Sequence, residues 1–190
     1  MPIKSPFISF KQLNRAIYDA QNDLYRLGLW YEGAPLSEVE IYLCPLPRLQ
    51  VRGLFYHGEN AWSKLAGYYE GQMYLPRISL AHLGNTQYDS LRDVIRHEYA
   101  HAFAHHYPKL IFKTEFSKVF GGSYYYEKPS KMRPDAFVSE YAKTIPMEDF
   151  AETFMTYLKR KGKMPKSFTN KKLIAKWIFV ERIIKKASKY

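Results

Sequence analysis

An HExxH pattern at residues 97–101 constrains this chain more than any other feature, because it lies in a segment that has the signals of an α-helix. Asp89 or Ser90 can cap the start of that helix, and Pro108, which follows Tyr107, ends it. On a helix, residues i and i+4 project from one face about one turn apart. The pattern therefore predicts a helix whose two histidines can converge on one metal ion.

The glutamate of the pattern points in a different direction from the two histidines. Glu98 directly follows His97, and a helix rotates by about 100° per residue. Its carboxylate therefore flanks an ion held by His97 and His101 without binding it, and a base in that place can accept a proton from metal-bound water. The same residues also fit two surface histidines and a glutamate in a salt bridge, so a metal site needs further support.

A third ligand is required because a catalytic zinc has three protein ligands and one open position. His105 and His106 are poor candidates, since a straight helix cannot bring successive turns around one ion. Glu148 and Glu152 lie four residues apart on a second predicted helix, residues 147–160. One carboxylate can bind the metal while the other holds a ligand histidine by a hydrogen bond. The alternative is an ordinary amphipathic helix with exposed acids.

The other elements predict an α+β fold with a small mixed sheet. Apolar residues recur at helical intervals over residues 9–28, and strand-like runs follow at 39–43 and 51–56. Residues 66–78 predict two further strands joined by a turn at Glu70 and Gly71. Pro76 indicates that the last strand lies at an edge of the sheet. We expect this edge strand to pack on the HExxH helix, with further helices after it.

The positive charge of the chain is concentrated at its C-terminal end. The formal net charge is +11, and residues 159–190 contain twelve Lys or Arg and one acid, so the rest is balanced. Leu173, Trp177, Val180 and Ile184 recur there at helical intervals, which predicts a docked terminal helix with lysines on its outer face. The alternative is a surface for an acidic partner such as nucleic acid, an anionic membrane or an acidic protein.

Composition and length predict one domain, which consists of residues 1–160 and of a basic linker and terminal helix, 161–190, packed on them. No apolar stretch reaches the roughly 18–20 residues that a membrane span needs. The N-terminus has no secretory signal, which favours a cytoplasmic protein and leaves secretion by a dedicated system open. The single cysteine, Cys44, excludes a disulfide within this sequence and a cysteine-rich zinc site.

Two blocks of the sequence resemble the gluzincins, the zincin metallopeptidases that use glutamate as their third ligand. The blocks are residues 93–103, which contain the HExxH pattern, and residues 141–154. Within the gluzincins the chain is most similar to the group that contains the anthrax lethal factor protease domain. In that group a tyrosine precedes the ligand glutamate by seven residues, as Tyr141 precedes Glu148. A weaker block, residues 69–75, resembles the edge strand before the active-site helix.

The resemblance implies a zincin-like fold, with residues 1–160 as the catalytic domain, and a zinc-dependent endopeptidase that acts on a protein or peptide. It covers about residues 66–160, while residues 1–65 and the basic tail match no family. It implies that Zn²⁺ is bound by His97, His101 and Glu148, that Glu98 is the general base, that Tyr141 donates a hydrogen bond to the oxyanion, and that Glu152 orients His97.

The substrate is expected to be extended along the predicted edge strand. A peptide could add antiparallel to residues 72–75 and lie across the zinc, and we expect the tyrosine-rich loop 121–134 to form one wall or a lid of the groove. Two alternative functions stay open at this point. One is a regulatory or nucleic-acid-associated peptidase that is recruited through the basic tail, and the other is a non-catalytic zinc-binding module.

Overall fold

Six α-helices and three short strands make up the part of the chain that the computed structural model describes, which is residues 7–44, 54–56, 71–76 and 91–189. This mixed architecture with a small mixed sheet confirms the α+β prediction. In chain order the elements are α1 (Phe10–Arg26), β1 (Ile41–Cys44), β2 (Leu54–Phe55), β3 (Met73–Pro76), α2 (Leu91–His106), α3 (Pro108–Ile111), α4 (Thr114–Phe120), α5 (Pro146–Lys159) and α6 (Lys171–Ala187).

Helix α1 begins where the sequence provides a capping box. The Ser9 hydroxyl accepts a hydrogen bond from the Gln12 backbone N–H, and the Gln12 side chain accepts one from the Ser9 backbone N–H. These two bonds satisfy N–H groups that have no partner within the helix. The helix ends at Arg26 and is followed by Gly28 with φ +70°, so the prediction of a helix over 9–28 is confirmed to within a few residues.

The sheet has the order β1-β3-β2, with β1 parallel and β2 antiparallel to β3. Strand β3 therefore has a neighbour on each side, and the prediction that Pro76 marks an edge strand is wrong. Pro76 is the last residue of β3 and lies opposite Cys44, the last residue of β1, so its missing N–H does not interrupt the strand. In the described part of the sheet, β2 is the edge strand that packs on α2.

Helix α2 carries the HExxH pattern and lies in the centre of the fold. Every residue from 93 to 104 is buried, because α1 and α5 pack against it and β2 covers another side. The predicted helix is confirmed from Leu91 onward, whereas its two candidate caps, Asp89 and Ser90, lie outside the described residues. A helix that is buried on all sides holds its side chains in fixed positions.

Helix α6 packs on α5 and α4. Its predicted apolar stripe is buried, with Trp177 1% and Val180 0% exposed. The expectation that its lysines all lie on the outer face is wrong for Lys176, which is 0% exposed. The Lys176 ammonium lies 2.6 Å from the Asp149 carboxylate of α5 and donates a hydrogen bond to the Ala136 carbonyl at 2.7 Å. The terminal helix is thus joined to α5 by a buried ion pair.

None of the described helices has the length and apolar character that crossing a membrane requires.

Candidate metal centre

Two helices bring together a histidine pair and a carboxylate. His97 and His101 project from α2, and Glu148 from the first turn of α5. The Nε2 atoms of the two histidines lie 3.1 Å apart. The Oε2 atom of Glu148 lies 3.0 Å from His97 Nε2 and 3.6 Å from His101 Nε2. These are the three residues that the sequence analysis expected to lie together as ligands of one ion. They form the one group of this kind that the described residues contain.

The geometry of this group fits a zinc ion. Zinc at about 2.0–2.1 Å from tetrahedrally arranged nitrogen and oxygen ligands separates those atoms by roughly 3.3 Å, and the three observed separations lie on either side of that value. Two histidines and one glutamate are also a donor set that catalytic zinc sites use. A buried His-His-Glu group can therefore bind a metal ion here.

The ring of His97 is held from behind by a carboxylate. Its Nδ1 atom lies 2.7 Å from Glu152 Oε1, and the other oxygen of Glu152 accepts a hydrogen bond from the Ser139 hydroxyl at 2.7 Å. With Nδ1–H donating to Glu152, Nε2 is left to face the ion, and a carboxylate in this place makes the imidazole a stronger ligand. The sequence predicted the Glu152 contact and missed Ser139.

The ring of His101 is held by a tyrosine that the sequence interpretation also missed. The Tyr124 hydroxyl lies 2.9 Å from His101 Nδ1 and is buried, and burial raises the pKa of this phenol well above its ordinary value. This hydroxyl keeps its proton and can accept a hydrogen bond from Nδ1–H of His101, a tautomer that leaves Nε2 to bind a metal ion. The only signal for it was the tyrosine-rich composition of the loop 121–134.

Glu98 lies beside the group and contacts the edge strand. Its Oε2 atom accepts a hydrogen bond from the Phe55 backbone N–H of β2 at 2.7 Å. The side chain is buried, and burial raises the pKa of Glu98 above its ordinary value. A carboxylate with a raised pKa accepts a proton more readily than an exposed one.

Tyr141 lies on the short 3₁₀ turn Tyr141–Lys143, next to His97. The two ring centroids are 5.8 Å apart. Burial and the negative charge of Glu148 raise the pKa of the Tyr141 phenol, so the hydroxyl keeps its proton and stays a hydrogen-bond donor. The Ser139 hydroxyl also accepts a hydrogen bond from the Ala142 backbone N–H at 3.1 Å, and so connects this turn to Glu152.

The electrostatics of the group favour a cation. Burial alone would lower the pKa of His97, but its bonds to Glu148 and Glu152 outweigh burial and raise that pKa to about 10. Burial alone would raise the pKa of Glu148, and the charges of His101 and His97 instead hold it well below its ordinary value. A proton on His97 thus takes the place of a metal ion, and metal binding has to release it.

His105 and His106 do not join the cluster, as the helix geometry predicted. The His105 ring lies against Phe55, with the ring centroids 5.6 Å apart. This contact is consistent with a packing role.

Comparison with known proteins gives one match. Residues 57–187 match the model of the family Peptidase_Mx1, which is described as "Putative zinc-binding metallo-peptidase". The matched region is well over half of the chain and includes α2, α5 and the basic helix α6. No curated protein and no solved structure matches the chain.

Proposed function

Because this chain belongs to the Peptidase_Mx1 family of zinc-binding metallopeptidases, we propose that it is a zinc-dependent endopeptidase that cleaves peptide bonds in a protein or peptide. The observation that carries this proposal is the buried group of His97, His101 and Glu148, with Glu98 beside it. We further propose that the fold is zincin-like and of the gluzincin type, because the third member of the group is a glutamate from a later helix.

Each residue around the group has a proposed role in amide hydrolysis. Zinc, when bound, would polarise the scissile carbonyl and lower the pKa of water. Glu98 accepts a proton from the attacking water and delivers it to the leaving amine, as its place beside the ligands and its raised pKa support. Tyr141 donates a hydrogen bond to the carbonyl oxygen as negative charge develops there. Glu152 and Tyr124 fix the directions of the two imidazoles.

The proposed substrate path runs along β2 instead of β3. Strand β3 is paired on both sides, whereas β2 is at the edge within the described sheet and contacts Glu98 through the Phe55 N–H. Pairing with an exposed sheet edge would hold a peptide in an extended conformation. Such a peptide would lie close to the proposed ligands, because Glu98 shares α2 with His97 and His101.

The proposed activity is tested by incubating the zinc-loaded protein with a mixture of unfolded proteins. Mass spectrometry should detect new internal cleavage sites. These should disappear when a chelator removes the metal and return when zinc is added. Trimming only at chain ends would contradict the endopeptidase assignment, and no cleavage at all would contradict the peptidase proposal.

Glu148→Ala is expected to weaken zinc binding about 100-fold or more, because it removes one of three ligands. Zinc content after purification, followed by competition with a chromophoric chelator, measures the change. Glu140→Ala is the matched control, since this carboxylate is 87% exposed. The neighbouring Asp149 is unsuitable as a control, because it is buried against Lys176. Equal zinc loss in the Glu148 variant and the Glu140 control would contradict the ligand assignment.

Tyr141→Phe is expected to lower kcat by about 10²–10³ and to leave the zinc content unchanged. The ring and its packing beside His97 remain, and only the hydroxyl donor is lost. Steady-state kinetics on one identified peptide, with the metal content measured in parallel, tests this expectation. Full activity of the variant would remove the proposed role of Tyr141.

We propose that a basic surface on the C-terminal segment binds an acidic partner and that this partner is nucleic acid. Its members are exposed and form no ion pair with the residues that the structure describes. The surface comprises Arg160, Lys161, Lys163, Lys166, Lys171, Lys172, Lys186 and Lys189. Surplus cationic charge of this kind attracts phosphate groups.

The test of this surface is the salt dependence of DNA binding. Changing Lys171, Lys172, Lys186 and Lys189 together to Gln should reduce the slope of log K against log[salt] by about 0.9 for each lysine that contacts a phosphate. No binding by the unmodified protein, or an unchanged slope in the variant, would refute the proposal.

A further inference from the structure

A polar cavity lies at α1, the first half of α2 and the end of α5. Its volume is about 530 Å³, which is within the range of roughly 300–1,000 Å³ that small-molecule sites have. All nine of its lining side chains are charged or carry an amide, and none is apolar or aromatic. Neither His97, His101 nor Glu148 lines it, so it is separate from the metal centre.

Three acids in the cavity already have basic partners. Arg96 is buried and pairs with Asp23 and, at 2.7 Å, with Asp93. Lys159 lies 3.0 Å from Asp93. On the more exposed side, Arg92 lies 2.9 Å from the third acid, Asp19. The negative charges of the cavity are therefore neutralised by ion pairs within the protein.

Two bases in the same cavity remain in excess. Arg26 and Lys161 both line it, and neither forms an ion pair with any residue in the described part of the chain. The buried Nε–H of Arg92 also has no hydrogen-bond partner there. Five bases against three acids leave a surplus of positive charge, and a cleft concentrates the field of such charges.

The backbone at Lys161 has an unusual conformation. It is the one non-glycine residue with a positive φ, +53°, among the described residues. Lys161 directly follows the C-cap of α5, Arg160, at a position where helices usually have glycine. A left-handed conformation costs free energy for a residue with a side chain. The conformation itself ends the helix, because the N–H groups of Lys161 and Gly162 donate to the carbonyls of Leu158 and Tyr157, and glycine would adopt it at a lower cost in free energy.

From these observations we propose that the cavity binds a small phosphorylated molecule without an aromatic ring. A phosphate monoester carries a charge of about −1.5 to −2 at pH 7, which matches the two surplus bases. Arginine presents several N–H donors to one phosphate, and lysine adds a point charge. The remaining polar lining can bond to hydroxyl groups, but it offers a nucleobase no surface for stacking. The proposal does not depend on the peptidase function.

The binding test uses isothermal titration of the zinc-loaded protein at constant ionic strength, with inorganic phosphate, glucose 6-phosphate and glucose as probes. Both phosphates should bind, and glucose should not. Tighter binding of glucose 6-phosphate would identify a phosphate ester as the ligand, whereas equal affinity would identify the free anion. No binding of either phosphate would overturn the proposal.

Two variants locate the anion in the cavity. Lys161→Gly and Arg26→Gln should each weaken binding by about tenfold, whereas Lys163→Gly, which removes an exposed lysine outside the cavity, should not. Unchanged affinity in both cavity variants would overturn the proposal. So would loss of binding in the Glu148→Ala protein, because it would place the anion at the metal centre instead.

Lys161→Gly also separates ligand binding from fold stability. Since glycine adopts the left-handed conformation without strain, we expect this variant to melt about 2–4 °C higher than the unmodified protein without phosphate, while phosphate stabilises it less. A lysine that only supports the fold would give the opposite result, a lower melting temperature, and this outcome would contradict the binding role.

Discussion

Replacing Glu98 with glutamine should lower turnover by a factor of about 10²–10⁴ and leave one zinc ion per chain. Glutamine has nearly the same shape as glutamate but cannot accept the proton of the attacking water. Its carbonyl oxygen can still accept the hydrogen bond from the Phe55 N–H, which Glu98 accepts at 2.7 Å. The variant therefore removes a base and preserves the contact between α2 and β2.

Kinetics on one peptide substrate, together with metal analysis and a melting curve, measures this effect. Glu32→Gln is the matched control, because Glu32 is exposed and forms no ion pair with the described residues. Retained turnover in the Glu98 variant would assign proton transfer to another group. A protein without turnover in either form, but with bound zinc, would be the non-catalytic zinc-binding module.

Lys176→Met should lower the free energy of unfolding by about 3–5 kcal/mol. This is a large part of the roughly 5–15 kcal/mol that stabilises most domains. Methionine fills much of the lysine volume, so the main effect is on the Asp149 carboxylate, which stays buried without its partner at 2.6 Å. The Ala136 carbonyl and the ring of Phe137, 4.0 Å from the ammonium, also lose a contact.

Urea denaturation of three further proteins tests the origin of this effect. Lys172→Met removes an exposed lysine from the same helix and should change stability by less than about 0.5 kcal/mol. The double variant Lys176→Met with Asp149→Leu should recover most of the loss, because no charge is left buried. Asp149→Leu alone should be destabilised like Lys176→Met. Equal stability of the Lys176 and Lys172 variants would show that the buried pair contributes nothing.

The candidate metal ligands could be predicted from the sequence because helical spacing is a local property. His97 and His101 are one turn apart, and so are Glu148 and Glu152, and in each pair the spacing alone fixes a shared direction. Spacing alone does not predict that α2 and α5 meet, because this contact joins segments about fifty residues apart. The resemblance to gluzincins supplied that step, and the structure brings the three ligand atoms together.

The residues that the sequence did not reveal make contacts that follow no helical or strand periodicity. Tyr124 reaches His101 from a loop, and Ser139 reaches Glu152 from another loop, so neither belongs to a repeating pattern. Lys176 resembles every other lysine of the basic tail until its neighbours are known. The position of β3 between two strands depends on its parallel pairing with β1, about thirty residues earlier, and such distant pairing cannot be derived from one strand's composition.

The ion pair between Lys176 and Asp149 also bears on when the protein can acquire its metal. Glu148 precedes Asp149 on α5, whereas Lys176 is translated almost thirty residues later. Both histidines therefore emerge from the ribosome before Lys176 does. Until Lys176 is present, α5 cannot dock with the Asp149 charge neutralised. In the proposed site, where zinc is bound by His97, His101 and Glu148 together, the complete ligand group would therefore form only after α6 has been translated and has docked on α5.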